Sequence, residues 1–550
     1  MPKAEAIHND LVPGTVHLVD IGGGTQGARH DNDHDDIVLV PRPSSDPEDP
    51  LNWSRRRKLL AICMVYLYAG VGIGIPATLQ YSVLADITRD TGITTAELVQ
   101  GTGLMFLFLG WACLIWQPIA LTYGRRGVYV LSCLFTVPMM IWTAHSTSAG
   151  EWYAHRIMLG IIASVSESLP EVSVFDLYFA HERGTYMALY VFTIFASNFL
   201  SPLLAGWFND AYGWRWTMQF GAIVSALSAV ILFLFMEETI YFRASVEGDE
   251  LEVPEARLSA GDAVDVQLDE KDSKSTNDQH TVDVASSPAY PPPRTYWQKL
   301  ALFIRKPGRP SNKQMFKMMY RPLIMMYWFP CTDWAGFLYG INLSWYNVLN
   351  GTASPVLSAP PYNWSPALVG SAYTAPIIGA IFAAIWSGTI ADRFTIYLAR
   401  RNGGVREPEQ RLWPLVVSGT MATAGLITWG VGAYYGISWV GLCFGLAMLT
   451  FGVVTGGSIA VSYNVDCFKE LGGETTISVI VIRNTLGFGF SYAITPWYTN
   501  QGLKNCFIAA GFISLACTFT FLFMIVYGKR LRKFSRDKYW EYVATSAVGH

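Results

Sequence analysis

The chain is short of charge. Only 15% of its 550 residues are Asp, Glu, Lys or Arg, where soluble domains carry about 25%. A soluble protein of this length would divide into roughly three or four domains, and too few charges are present to coat them. An excess of one sign is also missing: 39 basic and 42 acidic residues leave a net −3, which excludes nucleic-acid binding as the main role. The eight cysteines are scattered and no C-x-x-C occurs, so neither a disulfide framework nor a zinc site is indicated. No cofactor and no metal are expected. No phosphate loop of the form G-x-x-x-x-G-K-[ST] is present, which leaves ATP drive unsupported. The histidines at 145, 155 and 181 do not fall at ligand spacing, which argues against a membrane-embedded enzyme. What is abundant is apolar: 51% of residues are hydrophobic and 14% aromatic, so disorder is excluded for most of the chain. The class that remains is a polytopic membrane protein.

A crossing takes about 20 apolar residues. Twelve candidate spans lie at 58–84, 96–121, 127–146, 150–178, 185–208, 214–236, 322–348, 365–390, 412–434, 438–463, 475–498 and 503–528. Basic residues sort to alternate connections. Arg55 to Lys58 precede span 1, Arg125 and Arg126 separate spans 2 and 3, and Arg183 separates 4 and 5. Arg393 to Arg411 separate 8 and 9, and Lys529 to Lys538 follow span 12. The opposite connections hold only Arg89 and Lys504. The positive-inside rule then places both termini in the cytoplasm, and a missed span would destroy the alternation.

Residues 1–56 are polar, contain no apolar signal region, and are expected to be a disordered cytoplasmic tail. Residues 57–236 and 322–529 form two six-helix bundles, and 530–550 a cytoplasmic tail. Between the bundles, 237–321 reads as a linker: acidic first, then Pro291-Pro292-Pro293, then a basic-aromatic segment from Tyr296 to Lys317. That last segment suits either a helix lying on the inner leaflet or an ordinary soluble amphipathic helix. Asn350-Gly351-Thr352 is a glycosylation sequon in the expected outside loop after span 7.

Six plus six spans with basic loops at 2–3 and 8–9 resemble the major facilitator superfamily. Gly388-Thr389-Ile390-Ala391-Asp392-Arg393 matches the first half of that family's repeated loop motif, and Gly124-Arg125-Arg126 keeps only the tail of the other copy. The resemblance implies that Asp392, Arg393 and Gly388, with Gly124, Arg125 and Arg126, latch one conformer, an Asp pairing with an Arg across the interface of the halves. Arg156 to Gly160 is similar to the family's R-x-x-x-G on span 4, which implies a proton-linked role for Arg156. The lead-in Asp46 to Ser54, His181-Glu182-Arg183-Gly184, Glu237-Glu238-Thr239 and Arg400 to Gly404 resemble fungal drug:proton antiporters, nearest the organic-cation and polyamine permease branch. Exporters of that group carry G-P-x-x-G-G on span 5. Here Ser201-Pro202-Leu203-Leu204-Ala205-Gly206 lacks two of the glycines, so looser backbone packing is expected there and uptake is favoured over export.

Charged residues inside spans are functional candidates by default. On span 4, Arg156, Gly160, Glu167 and Glu171 share about 60° of helical arc at 100° per residue. Pro170, between the two glutamates, cannot donate to Ser166, so a carbonyl is left free there. Proton and cation competing for such a carboxylate is the minimal coupling mechanism; tying helix 4 to a neighbour is the structural alternative. Asp333, counted from Pro322, falls ~16 Å deep, where it could bind a cation or pair with Arg483 on span 11. Asn484 and the aromatics Trp345 and Tyr346 complete the candidate site. Gly336 and Gly340, one turn apart, permit close helix approach. The expectation is an all-α protein of twelve transmembrane helices in two pseudo-symmetric bundles. It would be a monomer in the plasma membrane, or the vacuolar one, moving a small organic solute with protons. Export of a secondary metabolite or xenobiotic is the alternative, and a non-transporting receptor a further one.

Overall fold

The computed structural model describes residues 12–14, 16–17, 30–31, 34–38, 46, 48–241, 296–299, 301–303, 309–402 and 405–545. Ten helical segments are long and apolar enough to cross a membrane. One of them, Lys469–Ala544, contains two crossings that turn at Gly502, whose φ of 75° favours glycine. Pro330–Ser358 is a further 29-residue helix, made more polar by Asn342, Asn347 and Asn350. The described residues therefore make twelve crossings, six before the linker and six after it.

Spans 1 to 6 are Arg55–Ser82, Thr95–Tyr123, Arg125–His145, Ala149–Leu177, Ala180–Tyr212 and Trp214–Phe235. Span 7 is Pro330–Ser358, span 8 Pro366–Leu398, span 9 Leu415–Tyr435 and span 10 Trp439–Cys467. Spans 11 and 12 start on either side of Gly502. Local chemistry sets several starts. Thr94 and Glu97 form a capping box at span 2, and the Ser148 hydroxyl accepts from Glu151 N at span 4. Span 1 is irregular, with a π-helical stretch over Leu67–Gly74 that holds three glycines.

The halves meet along two seams. In one, spans 2 and 11 touch where Gly103 faces Ser491 and Gly110 faces Asn484; a Cβ on Gly110 would stand 2.7 Å from that of Asn484. In the other, spans 5 and 8 meet backbone to backbone: a Cβ on Gly206 would stand 2.4 Å from the Pro366 carbonyl and 2.8 Å from Gly370 Cα. The looser packing expected beside Pro202 is thus not what is found at Gly206. Dispersion between close backbones drives association inside lipid, where no hydrophobic force operates, and this needs small residues.

Three expectations about chain segments change. First, part of the N-terminal stretch expected to be disordered is ordered. Val16–His17 pairs antiparallel with Val405–Arg406, and Arg532 Nη1 donates to the Pro13 carbonyl at 2.5 Å. Second, the proline run and most of the acidic part of the linker lie outside the described residues. A separate helix, Asn312–Trp328, follows them and starts at a capping box of Ser311 and Gln314. Third, span 7 starts at Pro330, not Pro322, because the backbone breaks at Phe329 (φ −119°, ψ 72°) and proline takes the first helical position after it. The same shift carries the helix on to Ser358, past Asn350.

Candidate functional site

Span 4 is interrupted twice. Its regular helix stops at Ala163 and restarts at Val165, and Pro170 follows six residues after Ser164. The carbonyl freed by Pro170 is used: the Tyr190 hydroxyl of span 5 donates to Ser166 O at 2.8 Å. This holds the second part of span 4 against span 5 and turns Glu167 toward the other half. There Arg483 Nη2 of span 11 meets Glu167 Oε2 at 2.8 Å. The Arg483 guanidinium also lies 4.7 Å above the Tyr339 ring of span 7 and donates to Asn484 Oδ1 at 3.4 Å. Arg483 is 6% exposed and Glu167 18%, so the pair is largely dry but reachable from the Glu167 side. Glu171 lies one turn further along, half-buried and, among the described residues, without a salt-bridge partner. Two carboxylates and one arginine, joined across the halves, can exchange an internal ion pair for a proton or an external cation.

The structure brings Glu167, Arg483 and Asn484 together, with Glu171 one turn away, and leaves the other candidates elsewhere. Asp333 does not pair with Arg483. It stands in the first turn of span 7, since the helix starts at Pro330, and one of its carboxylate oxygens is buried without a partner among the described residues. Its neighbour Cys331 lies 3.9 Å from Gly528 O, at the basic end and far from mid-depth. The depth count failed because Phe329 breaks the helix between Pro322 and Asp333. Gly336 and Gly340 do pack tightly, against Ile482, Arg483 and Leu486. Arg156 is fully buried, ~16 Å along span 4 from Glu167. Its guanidinium lies 4.6 Å over Trp152, Nη1 is 4.0 Å from Met105 Sδ, and Nε and Nη2 have no partner among the described residues.

Trp345 and Tyr346 close the end remote from the basic loops. Tyr346 packs edge-on between Tyr81 of span 1 and Phe199 of span 5, with centroids at 6.3 and 5.5 Å. Trp345 is fully buried edge-on to Phe490. Asn350, the expected glycan acceptor, is also fully buried, its Oδ1 accepting from the Tyr373 hydroxyl at 3.1 Å. A side chain inside a packed helix is no acceptor for a glycan, so that expectation is corrected. Residues not singled out in the sequence also matter: Tyr339, Tyr190 and the pair Gly456-Gly457, where a Cβ would meet Asn342 and Tyr339. Adjacent glycines in an apolar span were the available signal.

Among the described residues, the contacts of the loop-motif residues lie within their own halves or with the linker. Arg125 pairs with Asp176, and Arg126 donates to the carbonyls of Met236, Phe233 and Ala301 at 2.7, 2.6 and 2.9 Å. The Glu238 carboxylate accepts from the backbone N–H of Arg125 and Arg126, at the positive N-terminus of span 3 beside Gly124. In the second half Asp392 pairs with Arg411 at 2.8 Å, and Asp466 with Arg411 and Arg406 at 3.2 and 3.0 Å. Arg393 is exposed, and no side chain or backbone stands within 4 Å of a Cβ built on Gly388. Each latch closes inside its own half because Asp176 and Asp466, at the ends of spans 4 and 10, are the nearest partners. The pairs Arg125–Asp176 and Arg411–Asp466 occupy equivalent places, which makes the pseudo-symmetry chemical as well as topological.

Comparison with known proteins agrees with this architecture. The sequence profile described as Major Facilitator Superfamily matches residues 59–496. An uncharacterised MFS-type transporter of Schizosaccharomyces pombe is 29% identical, the alignment covering 92% of this chain and 90% of that protein. Protein HOL1 of Saccharomyces cerevisiae is 25% identical, with 98% of each chain covered. MFS-type transporter penM of Penicillium rubens is 26% identical over 96% of this chain and 94% of its own length. With twelve crossings in two equivalent halves and a profile match over most of its length, the chain belongs to the Major Facilitator Superfamily and is a multi-pass membrane transporter of small molecules, not an enzyme.

Proposed function

We propose that this transporter moves a small cationic or amine-bearing solute, driven by protons, by alternating access, with its basic end in the cytoplasm of a cell whose plasma membrane it spans. The observation that carries the reading is the Glu167–Arg483 ion pair between spans 4 and 11, with Glu171 one turn away and, among the described residues, in no ion pair. While Glu167 is ionised, Arg483 holds the halves in this conformer. A proton on Glu167, or a cation accepted by Glu167 and Glu171, competes with Arg483 and weakens the cross-half contact. The two events are exclusive at one carboxylate, which is the condition for coupling. Tyr339 keeps the guanidinium partly compensated while its partner is neutral. The acidic lining and the likeness to the organic-cation and polyamine branch both support a cationic solute. Basic loops on one side support the orientation.

The test is flux in proteoliposomes under an imposed pH gradient of either direction, with polyamines, quaternary amines and neutral drugs as probes. Gradient-driven flux of an amine is expected, reduced at least about tenfold in Glu167→Gln and Glu171→Gln, as for loss of one general-base or ion-pair group. Intact pH-driven flux in both variants and in Asp333→Asn would overturn the carboxylate site. Export of a metabolite or xenobiotic is the second reading, favoured by the backbone contact of Gly206 with Gly370 beside Pro202, where exporters carry their glycine-rich motif. The sign of the gradient that drives accumulation separates the two.

A further inference from the structure

The seam that closes the end remote from the basic loops contains buried polar groups with no partner. Tyr81 of span 1 and Asn347 of span 7 are 3% and 5% exposed. The Tyr81 hydroxyl and both polar atoms of the Asn347 amide bond to nothing among the described residues. Both line one cavity of about 10 Å³ between the halves, shared with Leu84, Val99, Thr102, Gly351 and Ser491. The hydroxyl protons of Thr102 and Ser491 go to the Leu98 and Gly487 carbonyls, at 3.2 and 2.9 Å, so their oxygens remain free to accept. Nearby, Gln80 and Ser82 Oγ on the same turn as Tyr81 are also buried without partners among the described residues.

Buried polar groups are almost always satisfied, by protein or by ordered water. A cavity of about 10 Å³ is near the least that admits a water, and a water needs two to four polar partners. This cavity supplies a donor and acceptors from both halves and no charged side chain. We propose that it is a water site built into the far-end gate: one water bridges Tyr81 and Asn347 when the gate is shut. The closed gate is therefore held in part by a bond that both halves share through water, and losing either side of it leaves the other buried without a partner, which favours opening. The inference rests on alternating access but not on protons or on any solute.

The test uses the full chain in proteoliposomes with no solute added. A cysteine at Val99, and in a second series at Leu84, reports far-end opening by its labelling rate with a membrane-impermeant maleimide. Asn347→Leu, which keeps volume and removes the amide that would hold the water, is expected to speed labelling about tenfold, the equilibrium worth of leaving one buried polar partner unpaired. Tyr81→Phe removes one oxygen with no change of shape and serves if the leucine variant folds poorly; it should speed labelling severalfold. The double variant should fall short of the product of the two, because both share one water. Unchanged or slower labelling in both single variants overturns the proposal, as does a map that resolves waters elsewhere in the closed protein and shows this cavity dry. Absence of pH-driven flux in the wild type, with the expected labelling pattern in the variants, would instead count against the proton reading alone.

Discussion

Breaking the Glu167–Arg483 pair should reopen the equilibrium between the two access states. The closest N···O distance is 2.8 Å, so the charge centres stand about 4 Å apart, worth ~4 kcal/mol at an effective dielectric of 20. Desolvation of both ions offsets much of that gain, so the pair as a whole contributes little. Removing one partner is different, because the other charge stays buried, at a loss of about 3–5 kcal/mol. Arg483 is the drier partner at 6% exposure, so Glu167→Gln should cost more than Arg483→Gln. The Tyr339 face and Asn484 Oδ1 stay with Arg483 and hold the loss near the lower bound, about 3 kcal/mol. The loss falls on the conformer in which spans 4 and 11 meet, so populations should shift about a hundredfold, at 1.4 kcal/mol per factor of ten. Spin labels at the far ends of spans 5 and 8 read this directly: a single short distance in the wild type, and a long one dominating in Glu167→Gln. The double variant Glu167→Gln/Arg483→Gln should recover most of the short distance. If the two substitutions add within about 0.5 kcal/mol, the residues act independently and the reasoning fails.

Glu237 is pushed up by burial, but its hydrogen bonds and charge contacts with Arg57 (2.5 Å) and Lys299 (3.1 Å) outweigh that and hold its pKa below the ordinary value. A depressed carboxylate stabilises the fold above its unfolded pKa of about 4.3. That stability is lost as pH falls through the lower folded value, so Glu237→Gln should flatten the acid limb of the apparent melting temperature and leave neutral pH within about 1 kcal/mol. Gly206→Val would place side-chain atoms where a Cβ already stands 2.4 Å from Pro366 O. Spans 5 and 8 could then not close, and flux should drop more than about tenfold with membrane insertion retained. Asn350→Gln should leave electrophoretic mobility unchanged after expression in a glycosylating host, since Asn350 is buried; a glycan-sized shift would refute its placement.

The sequence alone determined the crossings, because hydropathy and the count of basic residues per loop are local quantities. Those quantities require twelve helices in two halves and a membrane for solvent. The family followed from motifs that are equally local. The free carbonyl before Pro170 was legible for the same reason, since a missing N–H is a property of one residue. Which charges meet was not legible. For Arg483 the sequence suggested Asp333, but a break at Phe329 moved Asp333 to the basic end and Glu167 took its place. That break also drew Asn350 into the helix and buried it. The loop-motif arginines found partners in their own half because Asp176 and Asp466 came nearer than anything opposite. Pairing depends on separations of a few ångströms between residues hundreds apart in the chain, and one helix boundary shifted by eight residues reassigns it. Only the packed tertiary structure, through close approaches such as Gly110 on Asn484 and Gly206 on Gly370, decides those separations.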